Sequence, residues 1–275
     1  MKTVKKILNR LFNNLSKEEK SILQALKKRP QAPYDFLTRY ENILKNAIKW
    51  DDLDFNNKTV MELGCGPHLG FGPLAIYLGA KKFIAVDPTA NRKIYDSKIL
   101  LDKYFRLAFK DYKGIFRKQI SFGDFFQELK NKTIFYNDTK SIPKDLYSSI
   151  DIQLSNSCLE HIQDLENVLI DLKKLMAPNG RYIHAIDFGN HMQTNNPFIE
   201  IYNSTPSKFK IKHGSKINLI PPSKMLNLFT KTGFNSPSLV PYYYFEENFE
   251  LNIDKYWSNY LEESDYFLKV GIIAE

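Results

Sequence analysis

Two groups of residues in this chain have the types and spacings that do chemistry. The first is the run VMELGCGPHLG, residues 60–70, where Glu62 is followed by Gly64, Gly66 and Gly70. Glycines so placed let a ligand approach the main chain closely. A helix starting after them would offer free backbone N–H groups. Asp87 ends the next apolar run, FIAVD. A carboxylate there can accept hydrogen bonds from both hydroxyls of a ribose. The second group is His161, Asp187 and His191. A hydroxyl nucleophile must lose a proton, and histidine or a carboxylate is suited to take it.

The elements that must position these residues follow a strand–turn–helix pattern from Lys58 onward. KTVMEL reads as a strand, GFGPLAIYLGA as a short helix closed by Gly79, and KKFIAVD as a second strand. KTIFYND, SSIDIQLS and RYIHAIDF read as the third, fourth and fifth strands, with APNG a turn before the fifth. His184, within that strand, reads as packed. Ser157 and Glu160 suggest a capping box for the helix after the fourth strand. Its core face is Leu165, Val168, Leu169, Leu172 and Met176. A helix PSKMLNLFTKTGF precedes two aromatic-rich strands near SLVPYYYFE and YFLKVGIIAE. Strands alternating with helices imply a mostly parallel sheet. Two connections are long, one at residues 90–130 and one at 189–220; each is a lid or binding loop, or an extension of the core. The aromatics of residues 242–245, with Trp257, Tyr260 and Tyr266, are candidates for a pocket wall or for packing.

The glycine loop and Asp87 fit a nicotinamide dinucleotide as well as an adenosyl ligand. Spacing tilts the choice, because the dinucleotide fingerprint is G-x-G-x-x-G, whereas here Gly70 stands one residue too far and Glu62 precedes the loop. VMELGCGP with FIAVDP closely resembles the first two motifs of class I S-adenosylmethionine-dependent methyltransferases. NDTKSIP resembles the motif after their third strand, and SNSCLEHIQDLENVLIDLKKLMAPNGRYIHAI resembles the fourth strand, helix and fifth strand of their small-molecule branch. The match covers roughly residues 58–188, four motifs in the right order. It implies an α/β, Rossmann-like fold with a seven-stranded, mostly parallel sheet in the order 3-2-1-4-5-7-6, helices on both faces and an N-terminal helical extension. It implies S-adenosylmethionine as cofactor. By position, Glu62, Gly64, Cys65 and Gly66 would line its methionine part, Asp87 its ribose, Asp138 its adenine, and Ser155 and Asn156 its sulfonium end. His68 stands where many relatives have glycine, and Gly70 is the residue that could replace it.

The expected domains are a basic helical extension over 1–50 and a methyltransferase domain over 51–275. Of the formal +8 charge, the first 50 residues carry all: 12 Lys/Arg against 4 Asp/Glu, with the rest of the chain balanced. VKKILNRLFNNL reads as an amphipathic basic helix, suited to packing, to a partner, or to peripheral contact of residues 1–15 with an anionic membrane. Ser16 and Glu19 make a capping box for a second helix, and a third runs from Tyr34 to Ile48. Balanced charge over the catalytic part, and SNSC where base-modifying enzymes carry a D/N-P-P-Y motif, speak against a nucleic-acid acceptor. The two cysteines, Cys65 and Cys158, are too few for a disulfide framework, which together with the lack of a long apolar stretch points to the cytoplasm. No metal-ligand spacing is present among the five histidines and the acids. The expected activity is methyl transfer to a small or medium polar acceptor at oxygen, with sugars or cell-surface glycan precursors foremost. A non-catalytic cofactor- or partner-binding module, a nucleic-acid methyltransferase and an NAD-dependent oxidoreductase are the alternatives; oligomeric state is open.

Overall fold

Thr59–Leu63 and Lys82–Val86 are short, nearly continuous apolar runs, and both are buried apart from their first residue. That pattern belongs to strands covered on both faces. They form β1 and β2, parallel, with Glu62 opposite Ala85 and Leu63 opposite Val86. The computed structural model describes residues 15–17, 19–20, 23–24, 32–191, 195–245, 252–262 and 265–275. The expected basic helix over residues 4–15, and with it the proposed membrane contact, lies outside these apart from Leu15. Within them, β3 is Thr133–Tyr136, β4 Ile150–Asn156, β5 Met176–Asp187, β6 Ser238–Tyr244 and β7 Leu268–Ala274. The sheet order is β3-β2-β1-β4-β5-β7-β6. Strand β7 runs antiparallel to both β5 and β6. This is the order the resemblance implies.

The backbone divides into two compact units, Asp54–Ile142 with the residues up to Leu37, and Thr38–Leu53 with Pro143–Glu275. In the first unit, the long connection after β2 folds as a 3-10 turn Arg92–Asp96, a helix Lys98–Leu100, a π-turn Leu101–Phe105 and a helix Arg106–Phe116. Arg117, in the left-handed region at φ 55°, ends it. Ser121 then caps the helix Phe122–Lys132 by accepting from the Asp124 N–H. Phe109, Tyr112, Phe116 and Phe125 of these helices gather around Tyr77. Such edge and tilted ring contacts make the connection part of the core. The capping box expected ahead of it is present: Glu19 N–H donates to Ser16 Oγ and Ser16 N–H to Glu19 Oε2.

The helix Ala32–Ile48, assigned to the first unit up to Leu37 and to the second from Thr38, begins two residues before the expected start, with Pro33 in its first turn where the missing N–H is not needed. The helix Leu165–Leu175 buries Leu165, Leu169, Leu172 and Leu175, one stripe at helical spacing. Leu169→Ala is expected to cost about 2–5 kcal/mol, read by urea unfolding, because the stripe is fully buried. The APNG turn lies inside β5, where the pairing jumps from Ile150–Met176 to Ile152–Arg181 and the intervening residues loop out. The expected cap by Ser157 and Glu160 is not formed. Ser157 sits at φ 50°, a 3-10 turn Leu159–His161 intervenes, and the helix starts after Asp164. Residues 195–219 build a satellite core of Phe198, Ile201, Tyr202, Phe209 and Ile217 around Trp257. Trp257 is therefore packing, as is Tyr242, edge-on to Tyr40, while Tyr243 and Tyr244 are exposed.

Candidate functional site

At the end of β1 the chain turns through Gly64 and Gly66 at φ 77° and 62°. Gly66 N–H donates to Asp87 Oδ2 at 2.9 Å, and Asp87 Oδ1 accepts from the Thr89 N–H and hydroxyl at 2.7 and 2.5 Å. Asp87 thus ties the glycine loop to the end of β2. Cys65 is buried between the glycines. His68 is half-buried, its imidazole pKa lowered by burial against the pull of Asp87, and its carbonyl accepts from the Tyr104 hydroxyl at 2.5 Å. Asp138 caps a 3-10 turn, accepting from the Ser141 N–H at 2.8 Å.

Glu62 is engaged by the loop itself. It is 2% exposed and accepts from the Phe71 N–H at 2.6 Å, beneath the loop. A Cβ at Gly70 would lie 2.1 Å from its Oε1. Glycine is required at 70 by this approach, so Gly70 does serve the loop, through Glu62. Burial pushes the Glu62 carboxyl up to about 8, against the Phe71 N–H and reinforced by Asp87. The folded state then binds the Glu62 proton more tightly than the unfolded state. Its contribution is fully present below pH 4.5, the ordinary value, and is lost as pH rises through about 8. Glu62→Gln is expected to flatten the fall in stability over that window by about 5 kcal/mol. Urea titrations at several pH values check this, with Glu160, also pushed up to about 8 by burial, supplying the remaining slope.

A cavity of about 480 Å³ lies beside this loop, lined by Pro67, Thr89, Asn91, Lys93, Ser16 and Glu19 among others. That is the size of a small-ligand site. The open glycine turn, the carboxylate at the end of β2 and this adjoining volume fit an adenosyl ligand. Ser16 and Glu19 were chosen from sequence only as a helix cap. Their place at the cavity follows from a side-chain contact between Glu19 and Ser97, which no local pattern announces.

Candidate proton acceptors gather in the second unit. The Glu160 and His161 side chains leave the turn after β4, and Asp187 and His191 follow from β5. His191 Nε2 is 3.6 Å from Glu160 Oε1 and 3.8 Å from Asp187 Oδ2, and the rings of His161 and His191 are 5.1 Å apart. Burial lowers the His191 pKa against the pull of Asp187. Lys269 of β7 donates to Asp187 Oδ2 at 2.7 Å and Gly189 N–H to its Oδ1 at 2.9 Å, so Asp187 is held in place from two sides. The end of the long segment after β5 clamps the turn: Asn218 Nδ2 donates to the carbonyls of Leu159 and Ile162, and its N–H to that of Glu160. Sequence reasoning brought His161, Asp187 and His191 to this site and missed Glu160, Lys269 and Asn218 as members. The LEH motif was the available sign for Glu160.

Ser155 and Asn156 are also engaged within the protein. Ser155, 1% exposed, faces His184 across β4 and β5, with Oγ 2.8 Å from Nδ1. Its hydroxyl therefore serves the buried His184, whose pKa burial lowers to about 3. Asn156 Oδ1 accepts from the Tyr40 hydroxyl at 2.7 Å, which leaves its amide hydrogens to be directed elsewhere. Ser155→Ala should cost about 1–3 kcal/mol, the penalty of stranding a buried polar partner, without changing cofactor affinity. Parallel unfolding and calorimetric titrations test the two halves of that statement.

A family described as "Methyltransferase domain" matches residues 8–238. The chain belongs to this family. The methyltransferase is an enzyme whose cofactor is S-adenosylmethionine. No curated protein sequence matches it. Among solved structures it is similar to phosphoethanolamine N-methyltransferase 2 of Haemonchus contortus, solved with phosphomonomethylethanolamine and S-adenosylhomocysteine, at 13% identity over 83% of this chain, TM-score 0.49. The methyltransferase spans 45% of that chain's length. It is also similar to a putative S-adenosylmethionine-dependent methyltransferase from Listeria monocytogenes, at 15% identity over 86% of this chain and 96% of that one, TM-score 0.46. An S-adenosylmethionine-dependent methyltransferase from Mesorhizobium loti shares 13% identity over 84% and 97%, TM-score 0.43. No described helix is long and apolar enough to cross a membrane.

Proposed function

We propose that the methyltransferase acts on an oxygen of a small or medium polar acceptor, with sugars and glycan precursors the first class to screen. The observation that carries this reading is the grouping of Glu160, His161, Asp187 and His191 at the exits of β4 and β5. S-adenosylmethionine supplies a methyl group already activated on a sulfonium. The residues that would hold it are the backbone of Gly64, Cys65 and Gly66 at the methionine end, Asp87 at the ribose and Asp138 at the adenine. The chain's own task is alignment and exclusion of water. Bound there, S-adenosylmethionine would supply the methyl carbon to the acceptor oxygen and keep the released electron pair on its sulfur, while the cluster would take up the acceptor's hydroxyl proton. An amine acceptor would not need so many groups competent to manage a proton.

Calorimetric titration with S-adenosylmethionine, S-adenosylhomocysteine and NADH tests the first half. Binding of both adenosyl ligands is expected; binding of NADH alone would replace this reading with hydride transfer. Turnover to S-adenosylhomocysteine over a panel of sugars, lipid-linked glycans and amines tests the second. With an active hydroxyl acceptor, His161→Ala and His191→Ala are expected to lower the rate by about a hundredfold or more. Turnover confined to amines would overturn the oxygen assignment.

A further inference from the structure

We propose that Glu160, His161 and His191 bind a divalent first-row transition ion. The proposal deepens the oxygen-acceptor reading and rests on it for its chemical purpose, although the binding itself does not. One ligand atom from each residue lies within 4.8 Å of the other two. The ligands come from the turn after β4 and from the segment after β5, so no sequence spacing marks them as a metal motif.

Three observations point to a cation beyond this proximity. First, Glu160 is 3% exposed, and its Oε2 has no hydrogen-bond partner among the described residues. Its Oε1 lies 3.4 Å from the Asp187 N–H, and the Glu160 backbone N–H also bonds the carboxylate. The one buried oxygen left unmatched, Oε2, is costly unless something cationic completes it. Second, His161 Nδ1 lies 2.7 Å from the Lys216 carbonyl. A carbonyl only accepts, so Nδ1 carries the hydrogen and Nε2 keeps its lone pair. That backbone partner is how metal-bound histidines are commonly oriented. Third, the 3.6 Å between His191 Nε2 and Glu160 Oε1 is too long for a hydrogen bond. It is close to the edge, about 3.4 Å, of a tetrahedron of nitrogen and oxygen ligands around zinc.

Asp187 is set apart from the ligands because its charge is already met by the Lys269 ammonium at 2.7 Å, with the Gly189 N–H on its other oxygen. It acts as a positioning residue, and so does Asn218, which holds the turn bearing two of the ligands. Two imidazoles and one carboxylate favour zinc, cobalt or manganese over magnesium or calcium, which prefer all-oxygen sets. Three protein ligands leave a position open. An ion there would hold the acceptor's hydroxyl oxygen and acidify its proton, which passes to solvent, before the methyl carbon is attacked.

The experiment uses the full-length chain freed of metal by a chelator. Calorimetry with Zn²⁺ and visible absorption of Co²⁺ read the binding, and titration with S-adenosylmethionine on the same samples reads the cofactor site. One ion per chain is expected, with affinity falling at least about tenfold in His161→Ala, His191→Ala and Glu160→Gln, and about 10–100-fold in Asn218→Ala. Cofactor affinity in the variants should stay at the wild-type value, which also shows that they fold. Zn²⁺ binding that survives in the His161→Ala/His191→Ala double variant would place the ion elsewhere, for example on a cysteine, and overturn the proposal. So would stoichiometric binding of Mg²⁺ without Zn²⁺ or Co²⁺, or no ion bound by a wild-type protein that binds S-adenosylmethionine. Failure to bind S-adenosylmethionine with the ion in place would instead sink the methyltransfer reading alone.

Discussion

Asp87→Ala is expected to weaken S-adenosylmethionine binding by about a hundredfold or more. The carboxylate of Asp87 has two tasks. In the proposed cofactor site it accepts from the ribose hydroxyls, and charge-assisted hydrogen bonds of that kind are each worth about 1.5–3 kcal/mol. It also accepts from the Gly66 and Thr89 N–H groups, which keeps the glycine loop in its open turn. Alanine removes both, and 1.4 kcal/mol per tenfold gives the stated loss from the first alone. Asp87→Asn keeps one acceptor oxygen and should fall between the two proteins. Asp87 is half-buried, so the melting temperature should change little compared with the affinity. Calorimetric titration of all three proteins decides it. Wild-type affinity in a folded Asp87→Ala protein would move the ribose to another residue.

Gly70→Ala is expected to destabilise the protein by about 3 kcal/mol or more, one of the largest effects available to a single added methyl group. The new Cβ would meet Glu62 Oε1 at 2.1 Å and Oε2 at 2.3 Å, at a residue whose φ is 43°. Glu62 has little room to withdraw, because it is buried and its Oε2 holds the Phe71 N–H. Movement of Glu62 would release that N–H at the start of the helix Gly72–Tyr77. Pairing Gly70→Ala with Glu62→Ala separates the two costs. The double variant should recover much of the stability lost in Gly70→Ala if the clash is the cause, and none of it if the backbone strain at φ 43° is. Urea unfolding of the four proteins provides the cycle.

Much of the methyltransferase's organisation was legible in its sequence, and the reason is that the legible parts are local. Strand, glycine turn and helix are written in consecutive residues: apolar runs for β1 and β2, glycines where the backbone turns through positive φ, and an acid at the end of β2. The antiparallel β7 was implied by the family resemblance, with which the two closing strand patterns agree. The cap on the second helix was readable from Ser16 and Glu19 for the same reason. Local reading failed at Ser157, where the serine and a glutamate three residues on have the capping pattern. There the chain takes a left-handed residue and a 3-10 turn instead, because the insertion end at Asn218 clamps that turn.

What the sequence by itself determined is the order of elements, the glycine loop, Asp87 and the candidate histidines. Only the tertiary structure decided what these side chains face. Cross-strand register turned Ser155 onto His184. The close approach of Gly70 placed Glu62 beneath the loop as its support. Residues 160, 161, 191, 216 and 218 meet through contacts spanning up to 58 positions, which no helical or strand period encodes. Their grouping depends on where β4, β5 and the following segment come together, and it leaves one buried carboxylate oxygen, Glu160 Oε2, without a partner among the described residues.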